Sequence, residues 1–215
     1  MSVAQRGLDF TLGLLKRHGP SRIKKALWDR EFSSGKWNFI DETAGDCVYL
    51  HLEKYARKGD ILDLGCGPGN TANELAATSY RTYVGVDISD QALQKARDRT
   101  HASGRTQANR FEQGDFLSYV PNGRYDVILF REAMYHVPVR KVERMLDRYS
   151  KHLNEGGVFI VRMFACTASG VKHNRRARAT VRVVEKAFEI VERSQYGALG
   201  PTVVVFRPRL LTLGQ

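Results

Sequence analysis

Short apolar runs rich in β-branched and aromatic residues recur at residues 61–64, 83–87, 109–113, 125–130, 158–163 and 202–207, with longer helix-like stretches between several of them. Strand alternating with helix means a parallel sheet covered on both faces. Helices are predicted over 70–78, over 89–100 with Ser89 as N-cap, and over 139–153. In the last, Val142, Met145, Leu146, Tyr149 and Leu153 are spaced by three and four along one face, and Gly156-Gly157 then breaks the helix. Residues 188–193 and 202–207 flank a turn at 197–201 and read as an antiparallel pair closing the sheet. The expectation is an α/β fold with a Rossmann-like, doubly wound, mostly parallel seven-stranded sheet and an antiparallel C-terminal strand. It divides into an N-terminal helical cap at 1–58, a core of alternating strands and helices at 59–164 and C-terminal strands with a lid at 165–215. Within the cap, helical stretches at 8–17 and 21–30 lead into the aromatics Trp28, Phe32, Trp37 and Phe39. These rings dock the cap on the sheet, and at least one is placed to cover a ligand.

The segment ILDLGCGPGN at 61–70 is the most informative stretch. It follows a strand and opens a helix, so Gly65, Gly67 and Gly69 remove side chains where the backbone turns sharply and approaches a ligand, and the helix start offers unpaired N–H groups. Such loops also serve phosphates and dinucleotides. Asp63, at the strand end just before the loop, would repel a pyrophosphate but suits an ammonium group. The dinucleotide fingerprint also wants glycine or alanine where Asn70 stands, which disfavours a nicotinamide-dependent oxidoreductase. Asp87 ends the second strand at the distance where an acid accepts ribose hydroxyls, and Gly114-Asp115-Phe116 follows the third strand. The Asp115 carboxylate can take an adenine amino proton or cap a turn, and Phe116 offers its ring to the base. Acids at three successive strand tips converge on one crevice.

DLGCGPG, then GVDIS at 85–89, GDF at 114–116 and YDVILFREAMYHV at 125–137 resemble, in order and spacing, the successive motifs of class I S-adenosylmethionine (SAM)-dependent methyltransferases of the small-molecule type. The resemblance spans about residues 59–164. It implies SAM as cofactor, with Asp63, Gly65, Cys66, Gly67 and Gly69 facing the methionine part, Asp87 the ribose, Ile88 one face of adenine, Asp115 and Phe116 its amino group and edge, and Arg131 lining the cofactor through its backbone. Enzymes that methylate exocyclic amines carry an Asn/Asp-Pro-Pro-Tyr/Phe motif after the fourth strand. Here Phe130-Arg131-Glu132-Ala133 stands instead, closer to the Glu-x-x-x-His segment of small-molecule enzymes, although Tyr135 replaces a second acid that some relatives carry. Glu132 and His136, four apart, would share a helix face, and two ligands do not complete a metal site, so none is expected. His136, just past the fourth strand tip, is the expected general base, with Tyr135 as the candidate for orienting the acceptor.

The net charge of +11 is unevenly placed. Residues 1–40 carry 8 Lys and Arg against 3 acids, residues 41–161 carry 16 against 17, and residues 162–215 carry 10 against 3. Basic ends around a neutral middle suggest a positive rim. Lys172, Arg175, Arg176 and Arg178, in a segment at 165–179 read as a loop capping the pocket, would favour a small or medium-sized anionic acceptor. An RNA acceptor tracked by KHNRRARATVR and a non-catalytic SAM-binding partner protein are the alternatives. No apolar run reaches the roughly 20 residues of a membrane span. The 3 widely spaced cysteines form no Cys-x-x-Cys pair, which fits a reducing compartment, the cytoplasm.

Overall fold

A computed structural model describes residues 3–40, 43–164, 171–197 and 200–209, with side chains for all of these except 3–6 and 171–174. Helices α1 (Val3–His18) and α2 (Ser21–Ser33) and a 3-10 turn (Asn38–Ile40) precede α3 (Val48–Ala56). Then come β1 (Asp60–Leu64), α4 (Asn70–Glu74), β2 (Thr82–Asp87), α5 (Asp90–Ala102), β3 (Asn109–Gln113), β4 (Tyr125–Arg131), α6 (Val139–Ser150), β5 (Leu153–Phe164), α7 (Val171–Ala187), β6 (Phe188–Gln195) and β7 (Pro201–Pro208). Among the described residues the strands form one 7-stranded sheet in the order β3-β2-β1-β4-β5-β7-β6. β1 to β5 are parallel neighbours, while β7 enters between β5 and β6 antiparallel to both. Strand order therefore reverses between β1 and β4, and the tips of those strands open the crevice where such sheets bind ligands.

Alternation along the strands sends each residue set to its own face. Leu62, Leu64, Ile128, Phe130, Phe159 and Val161 pack with Val142, Leu146 and Tyr149 of α6 and Ala177 and Val184 of α7. Ile61, Val127, Leu129 and Ile160 pack with Val48, Leu52 and Ala56 of α3. Ser89 caps α5 as expected, its hydroxyl accepting from the Ala92 N–H at 3.2 Å.

Three elements differ from the sequence expectation. The helix expected over 70–78 stops at Glu74, with Leu75 extended. Carbonyls that would continue it are taken by side chains: Ala72 O accepts from Arg105, Asn109 and Tyr80, and Leu75 O from Arg105. α6 ends at Ser150, so Leu153 does not extend its face but opens β5 opposite Tyr125, and Gly156-Gly157 lie within the strand as an irregularity, Gly156 at φ +71°. The lid segment expected as loop is helical from Val171 onward; residues 165–170 lie outside the described residues. Its face of Ala177, Thr180 and Val184 is buried at helical spacing, but the intervening arginines mask it in the sequence. No helix among the described residues is long and apolar enough to cross a membrane.

Candidate functional site

A cleft of about 660 Å³, within the range of about 300–1,000 Å³ usual for small-molecule sites, lies over the tips of β1, β2 and β4. Its floor begins at the glycine loop. Gly65 (φ +84°), Gly67 (φ +54°) and Gly69 (φ +73°) are all left-handed, the conformation that glycine adopts without a steric penalty. The Gly65 and Cys66 N–H groups donate to the Val86 carbonyl at 2.7 and 3.1 Å, strapping the loop to β2. A side chain at Gly65 would meet Ala133 at 2.8 Å, and one at Gly69 would meet Ala96 at 2.7 Å. Gly65, Cys66 and Gly67 line the cleft; Gly69 stands off it and serves the close packing of loop on α5. The Cys66 thiol is buried and pushed well above its ordinary range by that burial.

The three strand-tip acids converge as their positions require. Asp63, Asp87 and Asp115 all line this cleft, together with Ile88, Phe116 and Arg131. Asp63 is 1 % exposed; one oxygen accepts from the Tyr83 hydroxyl, and among the described residues the other, Oδ1, makes no well-formed hydrogen bond, with the Thr71 hydroxyl and the Arg131 cation nearby. Burial pushes this carboxyl up to about 6, against the stabilising Tyr83 hydrogen bond. Asp87 accepts from the Gly67 N–H at 2.9 Å and from the Ser89 N–H at 2.9 Å, and burial raises it less completely because of those bonds. A carboxylate has about four lone-pair sites, so Asp87 retains acceptor capacity toward the cleft.

Asp115 caps its own turn, one of the two expected roles, and is also tied to α2. Its Oδ2 accepts from Lys24 Nζ at 2.8 Å and from the Ser21 hydroxyl at 2.9 Å, both on α2, and its Oδ1 accepts from the Leu117 N–H at 3.0 Å. Burial alone would raise its carboxyl, but the Lys24 and Leu117 hydrogen bonds hold it below the ordinary value. The turn-capping role and the position at the nucleoside crevice are thus combined in one residue. Nothing in the sequence marks Lys24 as its partner, since the two are 91 positions apart.

The roof comes from the N-terminal segment. Trp28, Phe32, Trp37 and Phe39 all line the cleft and touch one another at tilted angles, with centroids 5.6–6.3 Å apart. Lys16 lies 3.9 Å over the Trp28 ring and pairs with Glu31. Asp29 on α2 accepts from the Ser89 hydroxyl at 2.7 Å, so the roof is hydrogen-bonded to the start of α5 as well as to Asp115.

Past the β4 tip an ionic network that sequence reasoning missed walls the cleft. Arg131 donates to Asp46 at 2.8 Å, to the Tyr49 hydroxyl at 3.1 Å and to Thr71 at 3.3 Å, and Arg162 shares Asp46 at 2.9 Å while also pairing with Glu132. The lone arginine inside the apolar run 158–163 was the available signal, because a cation there must be paired. Glu132 is not on a helix with His136: it sits at φ +53° between β4 and a 3-10 turn (Met134–His136). Its carboxylate accepts from Arg162, the Phe164 N–H (2.9 Å) and the Tyr135 hydroxyl (2.9 Å). Tyr135 therefore lines the cleft with its ring while its hydroxyl is engaged by Glu132. His136 also lines the cleft, its ring edge-on to Trp28 with centroids 5.0 Å apart. Among the described residues no group of 3 or more His, Cys, Asp or Glu is placed to hold a metal.

The family model described as "Methyltransferase domain" matches residues 61–157. Among curated proteins the chain is similar to 27-O-demethylrifamycin SV methyltransferase of Amycolatopsis mediterranei, 24% identical over 179 residues that cover 80% of this chain and 65% of that protein. It is also similar to an mRNA cap guanine-N(7) methyltransferase of Cryptococcus neoformans, 29% identical over 173 residues, 74% of this chain and 28% of that protein. The chain thus spans less than two thirds of those relatives' length. In fold it is similar to the N-methyltransferase NodS from Bradyrhizobium japonicum in complex with S-adenosyl-l-homocysteine (TM-score 0.65, 18% identity, 86% of this chain and 97% of that one). It is likewise similar to magnesium protoporphyrin IX methyltransferase from Synechocystis with bound SAM (TM-score 0.61, 16% identity, 85% and 96%).

Proposed function

We propose that this chain, which the family model described as "Methyltransferase domain" matches over residues 61–157, is a class I SAM-dependent methyltransferase that transfers a methyl group to a small or medium-sized acceptor, on oxygen or nitrogen. The observation that carries this reading is Asp63: a buried carboxylate at the cleft, raised to about 6 and with one oxygen making no well-formed hydrogen bond among the described residues, suits a ligand that brings a positive charge. A pyrophosphate would meet repulsion there. In this reading Asp63 and Arg131 hold the ammonium and carboxylate of the methionine part, Asp87 accepts the ribose hydroxyls, and Ile88 and Phe116 flank the base. Its amino group would share Asp115 Oδ1 with the Leu117 N–H. Residues 1–58 act as the cap, and the aromatic roof keeps water out.

Bound SAM supplies a methyl already activated on a sulfonium. What remains for the chain is to align the acceptor, exclude water and take a proton where the acceptor carries one. In this reading His136, which lines the cleft with its ring perpendicular to that of Trp28, takes it. Calorimetry on the purified chain tests the reading: SAM and its demethylated product should bind, and NAD and NADP should not. Binding of NAD without binding of SAM would overturn it. Methyl-labelled SAM incubated with metabolite extracts would then identify the acceptor.

A further inference from the structure

One side of the cleft is walled by rings, and the contacts among them run unbroken from Phe39 to Phe164. Phe39 packs on Trp37 with centroids 5.6 Å apart, Trp37 on Trp28 at 5.7 Å, Trp28 on His136 at 5.0 Å and His136 on Tyr135 at 4.7 Å. The Tyr135 hydroxyl donates to Glu132, Glu132 pairs with Arg162, and the Arg162 guanidinium lies 4.4 Å over the Phe164 ring. Each of these residues lines the cleft. The two ends of the run are exposed, Phe39 to 74 % and Phe164 to 38 %, although rings of that size are ordinarily packed away. Two exposed rings lining one pocket mark a surface that a ligand covers.

The charges of the cleft are already matched. Among the described residues its lysines and arginines are Lys16, Lys24, Arg131 and Arg162. Lys16 is held by Glu31, Lys24 by Asp115, Arg131 by Asp46, and Arg162 by Asp46 and Glu132; none of the four side chains is more than 11 % exposed. Turning one of them toward an anionic acceptor would strip a largely buried carboxylate of its partner, a cost that the new pair would have to exceed. A cationic acceptor fares no better past the β4 tip. Glu132 already accepts from Arg162, the Phe164 N–H and Tyr135, and Asp46 from two arginines and the Val48 N–H. The cations that the sequence offered for an acceptor do not alter this: Arg175, Arg176 and Arg178 do not line the cleft, and the Lys172 side chain lies outside the described residues.

We propose that the methyl acceptor is an uncharged, planar aromatic molecule whose ring packs against Trp37, Phe39 and Phe164 while the group to be methylated reaches His136. This rests on the methyltransferase reading above, in which Ile88 and Phe116 flank the adenine and the run from His136 to Phe39 is left to the acceptor. It assigns the acceptor by the wall of the cleft rather than by the charge of the chain ends. Planarity is required because aromatic side chains meet a flat ring by face or edge, where their quadrupoles add an attraction that a saturated ring of equal area lacks. The wall is also set before a ligand arrives: Lys16, 3.9 Å over Trp28, and Arg162 over Phe164 hold those rings by cation–π contact.

The test is calorimetry at neutral pH on the full chain loaded with S-adenosylhomocysteine, using three probes of similar size: 2-naphthol, its saturated counterpart decahydro-2-naphthol, and the anionic 2-naphthoate. One-to-one binding of 2-naphthol is expected, with each of the other two weaker by at least about tenfold. Binding of 2-naphthol should also quench the protein's fluorescence, since the 2 tryptophans of the chain, Trp28 and Trp37, both line the cleft. Phe39→Leu and Phe164→Leu keep an apolar side chain but remove the ring, at positions exposed enough for the fold to tolerate it. Each should weaken 2-naphthol by about threefold or more and leave decahydro-2-naphthol nearly unchanged. Decahydro-2-naphthol binding as tightly as 2-naphthol, 2-naphthoate binding more tightly, no saturable binding of 2-naphthol, or full affinity in both variants overturns the proposal. Failure of the wild type to take up S-adenosylhomocysteine at the loading step overturns the methyltransferase reading, and the acceptor assignment with it.

Discussion

The floor and the roof of the cleft are built by different means. The floor is backbone and short carboxylates at strand tips, each held by N–H groups or hydroxyls within a few residues or on the adjacent strand: Gly67 and Ser89 on Asp87, Tyr83 on Asp63. The roof is large side chains on helices, tied down by contacts as distant in sequence as Lys24 to Asp115 and Asp29 to Ser89. A floor made that way can position a ligand to tenths of an ångström, while a roof held by a few ion pairs can part and close again. The expectation that follows is a division of labour. Floor substitutions should change affinity, and roof substitutions should change exchange rates.

The largest effect should come from Asp87→Ala, which removes the hydrogen bonds proposed to the ribose and frees the Gly67 N–H that shapes the loop. A loss of about 2–4 kcal/mol in SAM affinity is expected, roughly 30- to 1000-fold; calorimetry returning wild-type affinity would take Asp87 out of the site. Next is His136→Ala. If this ring takes the acceptor's proton, turnover falls by roughly 100-fold with SAM affinity nearly intact. A variant that keeps its turnover and loses only thermal stability would make His136 a packing partner of Trp28.

A third, smaller effect concerns pH. Asp63 must be ionised to hold a cation, so with its pKa near 6 SAM affinity should rise through that pH and be about tenfold weaker at pH 5 than at the plateau above 7. The same group acts on stability in the opposite sense. Its folded-state pKa lies above its ordinary 3.8, so protons are taken up on folding between those values, and its contribution to the stability of the ligand-free protein declines as pH rises from about 4 to 6. Affinity that is flat between pH 5 and 7, measured alongside Asp63→Asn, would remove Asp63 as the cation's partner. The smallest effect belongs to the roof: Lys24→Met should speed SAM dissociation about fivefold, equivalent to roughly 1 kcal/mol, with a lesser change in equilibrium affinity. Stopped-flow rates equal to wild type would show that the roof does not gate the cleft.

Legibility in the sequence follows the same line between floor and roof. Asp63, Asp87 and Asp115 could be placed beforehand because period-two strands of known order bring their tips to one edge, and the glycines told where the loop must bend. Lys24, Asp46 and Arg162 could not, since which lysine reaches which aspartate depends on how helices dock, and residue spacing carries no record of that. Glu132 was misplaced for a related reason. Its spacing from His136 fits a helix, but the chain turns through a left-handed residue there to serve Arg162 and Phe164. α7 was hidden by composition, its buried stripe of Ala177, Thr180 and Val184 being thin among arginines.

The 91 positions between Lys24 and Asp115 also bear on how the chain comes off the ribosome. At about 5–20 residues per second, Asp115 is added roughly 5–20 s after Lys24. For that interval α2 lacks its Asp115 anchor, and Leu8, Phe10 and Leu14, which stay exposed even in the finished protein, are open to chaperones or to neighbouring nascent chains. Closure of the site is therefore among the late events of synthesis, and a pause in translation before β3 would lengthen the time in which the aromatic cluster of Trp28, Phe32 and Trp37 is without its partner surface.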